Sequence, residues 1–297
     1  MSYAGSYVAL ITPFTKGQVD EKQLRSLVDF QIENGTNGIV PCGTTGEAAT
    51  MSEDEQFRVI GIVIDQVRGR VPVIAGTGTN DTAKTSKYTK HAKELGANAA
   101  LIVTPYYNKP TAEGQYQHYR AITEATDLPI VLYNVPGRTA INMAPETVVR
   151  LSMIRTIVAI KEASGSIDQS SQIVNETAAD FDVLSGDDSL TLPIMSVGGK
   201  GVISVVANVA PKPMAEMTAA FLSGDAARAR DIHLRVFDLC RAMFLDNNPI
   251  AVKTAAGLLG LCSDEVRLPL TAMGEGNRKK LAEVLAACSY THPVGAR

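Results

Sequence analysis

The chain has 297 residues, which is long enough for one large α/β barrel or for two ordinary domains. Hydrophobic residues make up 45% of the sequence, which allows a large core and argues against wholesale disorder. The 28 Lys and Arg residues are outnumbered by 31 Asp and Glu residues, and the net charge of −3, without a basic stripe, argues against a protein that binds nucleic acid.

The sequence carries no signal for membrane insertion or for a disulfide framework. Residues 1–17 lack a basic stretch followed by an apolar one, and no segment approaches the roughly 20 consecutive apolar residues of a membrane span. The four cysteines are far apart and include no Cys-x-x-Cys pair, which argues against a zinc site and against structural disulfides. We therefore expect a cytoplasmic protein that contacts no membrane.

Eight short apolar runs recur along the chain, with centres spaced roughly 20 to 35 residues apart, the length of one strand, one helix and two loops. The runs are almost continuously apolar, as is typical of parallel strands that are buried on both faces. They are centred near Ala9, Ile39, Ile74, Ile102, Val131, Ala159, Leu184 and Ile203.

Helical patterns fill the intervals between these runs. The clearest helix begins after Met51, where Ser52 and Glu55 form a predicted capping box ahead of an apolar helical face. Further helices are predicted over residues 81–95, 113–125 and 167–178, and, after the last strand, over residues 211–222, 226–244, 249–261 and 271–288.

The alternation of eight strands with helices predicts an α/β fold, a (β/α)8 TIM barrel with a small C-terminal helical appendage. One of the last four helices closes the barrel and the others form the appendage. We place the catalytic barrel at residues 1–224 and the C-terminal helical region at residues 225–297. An open doubly wound sheet is the alternative, although it normally has fewer strands.

Polar residues collect where the predicted strands end. In a barrel of this kind the loops after the strands build the site, and all of them lie on one rim. The polar segments are residues 43–47, 76–80, 104–108, 133–138, 161–162 and 185–188.

Lys161 is the residue on this rim with the most distinctive chemistry. It ends an apolar run, and alternation places it on the same face as Ile157 and Ala159. If that face points into the barrel, poor hydration disfavours the ammonium form, and the free amine is the form that attacks a carbonyl. Tyr133 ends the neighbouring strand and is placed to relay protons to the amine. A solvent-facing lysine and an ordinary core tyrosine are the alternatives.

Two further groups on the rim are suited to binding carboxylates. The Gly-Thr-Thr-Gly segment at residues 43–46 offers backbone N–H groups and two hydroxyls, and no Gly-Lys-Ser/Thr follows that would make it a phosphate loop. Arg138 follows a Pro-Gly turn and could grip a carboxylate through two hydrogen bonds. The alternatives are an ordinary strand-to-helix turn and a solvated surface arginine.

The residues required by other mechanisms are missing from the sequence. The four histidines show no metal-ligand spacing, and neither a Gly-x-Ser-x-Gly elbow nor a Gly-x-Gly-x-x-Gly fingerprint is present. Asp187 and Asp188 are adjacent acids, which would point to opposite faces of a strand, so we interpret them as loop caps rather than metal ligands. We expect no metal and no organic cofactor.

Taken together, these motifs resemble the dihydrodipicolinate synthase family over nearly the whole chain, in order and with similar spacing. The wider pyruvate-dependent aldolase superfamily shares the lysine and the Gly-x-Thr-Gly-Glu loop, whereas the Val-Pro-Gly-Arg stretch at residues 135–138 is more specific to the synthase. The resemblance implies a Schiff-base condensation of pyruvate with L-aspartate 4-semialdehyde to give 4-hydroxy-tetrahydrodipicolinate, in lysine and diaminopimelate biosynthesis.

The resemblance also implies a role for each site residue. Lys161 would form the imine with pyruvate, and Arg138 would bind the carboxylate of the aldehyde. The proton relay would consist of Thr44, Tyr133 and Tyr107, the last supplied by a neighbouring subunit of a homotetramer built from tight dimers. Thr45 would bind the pyruvate carboxylate, and the main chain near Gly186 and Ile203 would complete the pocket.

Two alternatives remain, and one departure from the family pattern. Another pyruvate-dependent aldolase, acting on a sugar-derived keto acid such as N-acetylneuraminate, would keep the lysine but would not need the arginine. A non-catalytic keto-acid-binding barrel would need no reactive lysine. Lysine-sensitive members of the family carry a glutamate where this chain has Lys84 and histidines where it has Glu53 and Gln56, so we expect weak or absent inhibition by L-lysine.

Overall fold

The computed structural model describes residues 2–291, and its centre is a ring of eight parallel strands. The strands are β1 (Gly5–Ala9), β2 (Gly38–Val40), β3 (Ile74–Gly76), β4 (Ala99–Val103), β5 (Ile130–Asn134), β6 (Ile157–Glu162), β7 (Asp182–Ser185) and β8 (Gly201–Ser204). Neighbours in the ring follow the order β2-β1-β8-β7-β6-β5-β4-β3. Each predicted run centre falls inside one of these strands, so the predicted barrel is confirmed.

The ring closes between β2 and β3 through a few backbone contacts. Ile39 forms a parallel bridge with Val73, and its N–H donates to the carbonyl of Pro72 at 3.0 Å. The N–H of Gly76 donates to the carbonyl of Pro41 at 2.9 Å. These contacts complete the barrel and exclude the open doubly wound sheet.

The strand residues divide between two hydrophobic clusters. The inner cluster fills the barrel with side chains from alternate strand positions, among them Leu101, Val131, Tyr133 and Ala159, while the outer cluster packs the other positions against the helices. Burial on both faces explains why the strands read as continuous apolar runs.

Lys161 shares the inner face with Ala159, as alternation predicts, because both extend inward from β6. The prediction that Ile157 lies on the same face is wrong. The β5–β6 register pairs Ile130 with Ile157 but Val131 with Ala159, so an extra residue on β6 moves Ile157 into the outer cluster.

Twelve helices are described within residues 2–291. Those of the barrel are α1 (Glu21–Glu33), α2 (Glu53–Val67), α3 (Thr82–Leu95), α4 (Ala112–Ala125), α5 (Pro136–Thr139), α6 (Pro145–Ser152), α7 (Ile167–Glu176), α8 (Thr191–Ser196) and α9 (Pro211–Leu222). The capping box of Ser52 and Glu55 is present at the start of α2. Four helices, α1, α5, α6 and α8, were not predicted from the sequence, although Asp20 caps α1 and Pro145 opens α6.

The remaining helices are α10 (Ala226–Ala242), α11 (Ile250–Leu258) and α12 (Glu275–Ala287). Each is shorter than predicted, and α9 matches its predicted bounds. α9 follows β8 and packs against β1, and α10 packs on α9. Among the described residues, no helix is long and apolar enough to cross a membrane.

Candidate active site

A cavity of about 530 Å³ opens at the carboxyl ends of β2 to β5. Its wall includes residues from four of the six polar segments predicted to form the rim, so these four segments do lie together around one cavity. The residues that line it include Thr44, Gln56, Lys84, Tyr106, Tyr133 and Arg138.

Lys161 lies against one wall residue of this cavity. Its Cα pairs in register with that of Tyr133, and its amine lies 4.4 Å from the centroid of the tyrosine ring. The lysine is only 4% exposed. Within residues 2–291, its amine forms no salt bridge and no hydrogen bond with another side chain or with the backbone. A buried amine without a charge partner, next to an open cavity, is suited to nucleophilic attack on a small carbonyl compound.

The side chain of Lys161 has room because position 186 is a glycine. A Cβ atom at position 186 would lie 2.6 Å from the Cβ of Ala163 and 3.1 Å from the Cε of Lys161, so a side chain there would displace the lysine. The N–H of Gly186 donates to the carbonyl of Glu162 at 2.7 Å, which fixes the loop after β7. Ile203 is fully buried in the inner cluster.

The loop at residues 43–47 turns back on itself after β2. The N–H of Gly46 donates to the carbonyl of Gly43, and that of Glu47 to the carbonyl of Thr44, each at 3.1 Å. Thr44 lines the cavity, whereas Thr45 is buried and turned toward the C-terminal region. The Nδ2 of Asn248 donates to the Oγ1 of Thr45 at 3.0 Å.

Arg138 stands on the short helix α5 at the edge of the cavity. It is exposed, and its Nη2 donates to the carbonyl of Asn248 at 3.4 Å. The guanidinium therefore has one anchoring contact and keeps the rest of its donors available for a ligand.

Tyr107 is separated from the other candidate residues. Its side chain is 89% exposed, on a backbone with φ of +73°, and it is not among the residues that line the cavity of its own chain. The neighbouring Tyr106 does line that cavity.

The two adjacent acids after β7 both accept hydrogen bonds, and Asp187 caps its loop as predicted. Asp187 caps the short 3-10 helix Asp188–Leu190 by accepting from the N–H of Ser189. Asp188 is buried and accepts from the N–H groups of Val205 and Val206 and from the Ser204 hydroxyl. Within residues 2–291 no group of three or more His, Cys, Asp or Glu side chains is arranged to hold a metal ion.

Two residues that hold the 43–47 loop in place, Asn248 and Lys253, were not predicted from the sequence. The amine of Lys253 lies 2.6 Å from the carboxylate of Glu47, at the end of the 43–47 loop. One sequence signal was available: a lysine inside the apolar helical run that follows Pro249 must be either exposed or paired.

The chain matches known proteins along almost its full length. The model of the dihydrodipicolinate synthetase family matches residues 2–288. The chain is similar to the 4-hydroxy-tetrahydrodipicolinate synthase of Geobacter sulfurreducens, with 57% identity over 283 residues that cover 95% of this chain and 98% of the relative.

Two solved structures agree with this chain in fold. The crystal structure of dihydrodipicolinate synthase from Aquifex aeolicus has a TM-score of 0.96 at 47% identity, and the match covers 98% of this chain and 99% of that one. The chloride-inhibited synthase from Acinetobacter baumannii, complexed with pyruvate, has a TM-score of 0.96 at 46% identity, covering 97% and 100%. The chain therefore belongs to the dihydrodipicolinate synthetase family of enzymes.

Proposed function

We propose that this enzyme condenses pyruvate with L-aspartate 4-semialdehyde through a Schiff base on Lys161, forming 4-hydroxy-tetrahydrodipicolinate in lysine and diaminopimelate biosynthesis. The observation that carries the proposal is the buried, unpaired amine of Lys161 against Tyr133 at the edge of the cavity. The names of the similar synthases and the pyruvate bound in one of them support the substrate.

The amine adds to the carbonyl carbon of pyruvate, and loss of water leaves a protonated imine. The protonated imine draws electrons from the neighbouring methyl group, which loses a proton, and the imine thereby becomes an enamine. The enamine carbon forms a bond to the aldehyde carbon, and the amine of the second substrate then attacks the imine carbon, closes the ring and releases Lys161. Each step moves protons, which suits hydroxyl groups that both donate and accept.

The other site residues have proposed roles in these reaction steps. Tyr133, Thr44 and a Tyr107 from a neighbouring subunit relay the protons. Thr45 binds the pyruvate carboxylate, and the main chain at Gly186 and Ile203 completes that part of the pocket. Arg138 binds the carboxylate of the aldehyde, a role supported by its free donors at the cavity edge.

We further propose a homotetramer of tight dimers in which Tyr107 reaches the partner's site. The support is its nearly complete exposure beside Tyr106, because adjacent exposed aromatic residues favour an interface. A division at residue 224 is supported by the Gly224 turn between α9 and α10. The four free cysteines support a reducing, cytoplasmic location.

Borohydride reduction in the presence of pyruvate tests the imine. We expect mass spectrometry to find a pyruvate-derived adduct on Lys161 and none on Lys253, the second buried lysine, whose amine is paired with Glu47. Absence of an adduct on Lys161 would reject both the synthase and the related aldolases. An assay of several aldehyde acceptors then separates the two, and a non-catalytic keto-acid-binding barrel would turn over none of them.

A further inference from the structure

Asn248 contacts both side chains to which we assign substrate carboxylates. Its amide nitrogen donates to Thr45, and its backbone carbonyl accepts from Arg138. We propose that Asn248 is a positioning residue that keeps the Thr45 hydroxyl as a hydrogen-bond donor toward the pyruvate carboxylate, an inference that rests on the proposed role of Thr45.

In the hydrogen bond between Asn248 and Thr45, the amide is the donor and the hydroxyl is the acceptor. The carboxamide NH2 group can only donate, whereas a hydroxyl has one proton and two lone pairs. Because the Oγ1 of Thr45 accepts from Asn248, this contact leaves the hydroxyl proton unused. Within residues 2–291 the Thr45 hydroxyl donates to no other group. The proton is therefore available for a carboxylate, which only accepts, and such charge-assisted bonds are the strong ones.

The surroundings of Asn248 indicate that its amide has a role beyond packing, namely donation to Thr45. The residue is 7% exposed, and its Oδ1 is a buried acceptor without a partner among the described residues. An unsatisfied buried acceptor is costly, and an apolar side chain of similar size would avoid that cost. The amide NH2 is thus the part of this side chain that the site uses.

A second contact fixes Asn248 relative to the loop that it supports. Asn248 precedes α11, and Lys253 on that helix pairs with Glu47 at 2.6 Å. The 43–47 loop is consequently held from the C-terminal region at two points, Thr45 and Glu47. This double attachment holds the donor nitrogen at 3.0 Å from the threonine hydroxyl.

Three variants separate a donor role from a packing role. Asn248→Asp keeps the shape but replaces the donor by an acceptor, which draws the Thr45 proton away from the pocket. Asn248→Leu removes the donor and relieves the unsatisfied oxygen. Thr45→Val removes the hydroxyl itself. The readouts are the KM for each substrate and the pyruvate concentration for half-maximal borohydride trapping of Lys161. None of these depends on the fraction of folded enzyme.

We expect Asn248→Asp to raise the pyruvate KM and the half-trapping concentration roughly 10- to 100-fold. Asn248→Leu raises them less, and both variants change the aldehyde KM less than the pyruvate KM. A packing residue would give the opposite order, with the isosteric Asp milder than Leu. In the Thr45→Val background, Asn248→Leu has no further effect. Asn34→Asp, the same chemical change at the end of α1, leaves both KM values unchanged.

The outcomes that overturn the inference are distinct from those that overturn the proposed function. If Thr45→Val binds pyruvate normally, the assigned role of Thr45 is wrong and the inference falls with it. If Thr45→Val impairs pyruvate binding while Asn248→Asp does not, or if Asn248→Leu acts equally in both backgrounds, only the inference fails. Loss of borohydride labelling in the wild-type enzyme is the separate failure of the imine chemistry.

Discussion

The carboxylate of Glu47 lies 2.6 Å from the amine of Lys253, and both side chains are almost completely buried. The amine also lies 4.2 Å from the centroid of the Phe14 ring, and the second carboxylate oxygen accepts from the N–H of Arg267 at 3.1 Å. Burial lowers the pKa of Lys253, and the charge on Glu47 opposes that shift. The pair joins the rim of the barrel to the C-terminal region.

Removing one partner of this pair destabilises the fold more than removing both charges. We expect Lys253→Met to lower the free energy of unfolding by roughly 3–5 kcal/mol, because Glu47 is left as an uncompensated buried charge. Adding Glu47→Gln to Lys253→Met restores part of the loss. The changes in the free energy of unfolding are measured from the denaturant midpoints of the wild type, the single variant and the double variant. A double variant that is no more stable than Lys253→Met would show that the buried charge is not the cause.

The contrast between the strands and Lys253 shows what the sequence could predict. Strands buried on both faces leave a local mark, a continuous apolar run, and the rim at their ends follows from the parallel arrangement. Lys161 and Tyr133 were found because each ends such a run. Asn248 and Lys253 meet residues 45 and 47 from about two hundred positions away, and no local periodicity encodes that contact. The register shift beside Ile157 is likewise set by the neighbouring strand.

Arg138 separates the binding of the two substrates. We expect Arg138→Ala to lower kcat/KM for L-aspartate 4-semialdehyde by roughly 100-fold, because a charge-assisted contact with the substrate is lost. Pyruvate trapping on Lys161 is retained. Arg138→Lys keeps the charge without the two parallel donors, so its kcat/KM for the aldehyde should lie between those of the wild type and Arg138→Ala. An unchanged kcat/KM in Arg138→Ala would place the acceptor site elsewhere.

A shared site can be tested by mixing two inactive variants. Tyr107→Phe subunits keep Lys161, and Lys161→Ala subunits keep Tyr107, so a mixed tight dimer contains one complete site. Random mixing in equal amounts makes half of the dimers mixed, and about a quarter of the wild-type activity should return. A mixture of Lys161→Ala with the double variant is the inactive control. Mixed oligomers that form and stay inactive would contradict a site shared between subunits.

His118 makes stability depend on pH in the acid range. Its Nδ1 lies 2.9 Å from the Oγ1 of Thr82, and its Nε2 is buried without a partner among the described residues. Burial lowers the pKa of His118 from 6.5 to about 4, opposed by the charge on Asp81. As the pH falls, His118 is therefore protonated near pH 6.5 in the unfolded chain but only near pH 4 in the folded protein. Stability is lost as the pH falls from 6.5 to 4, in total by roughly 3 kcal/mol.

Replacing His118 by a neutral side chain should remove this dependence. We expect the drop in Tm between pH 7 and about pH 4.5 to be smaller in His118→Gln than in the wild type, because glutamine takes up no proton in either state. Thermal melts of both proteins at matched ionic strength measure the difference. Equal drops would show that His118 does not titrate between the folded and unfolded states.

Inhibition by L-lysine should be weak or absent in this enzyme. Lys84 lines the same cavity as Tyr133, so a cationic ligand there meets a like charge. Glu53, the acid that could compensate, pairs with Lys87 at 2.5 Å. The amide nitrogen of Gln56 donates to the carbonyls of Ala48 and Met51.

Reversing the charge at position 84 should create sensitivity to L-lysine. In Lys84→Glu the carboxylate attracts the ligand's side-chain amine, and the expected gain in affinity is roughly tenfold or more, since close charges interact strongly where water is scarce. Lys90→Glu, the same charge reversal on the outer part of α3, is the control and should leave inhibition unchanged. Initial rates against rising L-lysine at constant ionic strength decide the matter. Strong inhibition of the wild type at submillimolar lysine, or equal effects of the two reversals, would contradict the role assigned to Lys84.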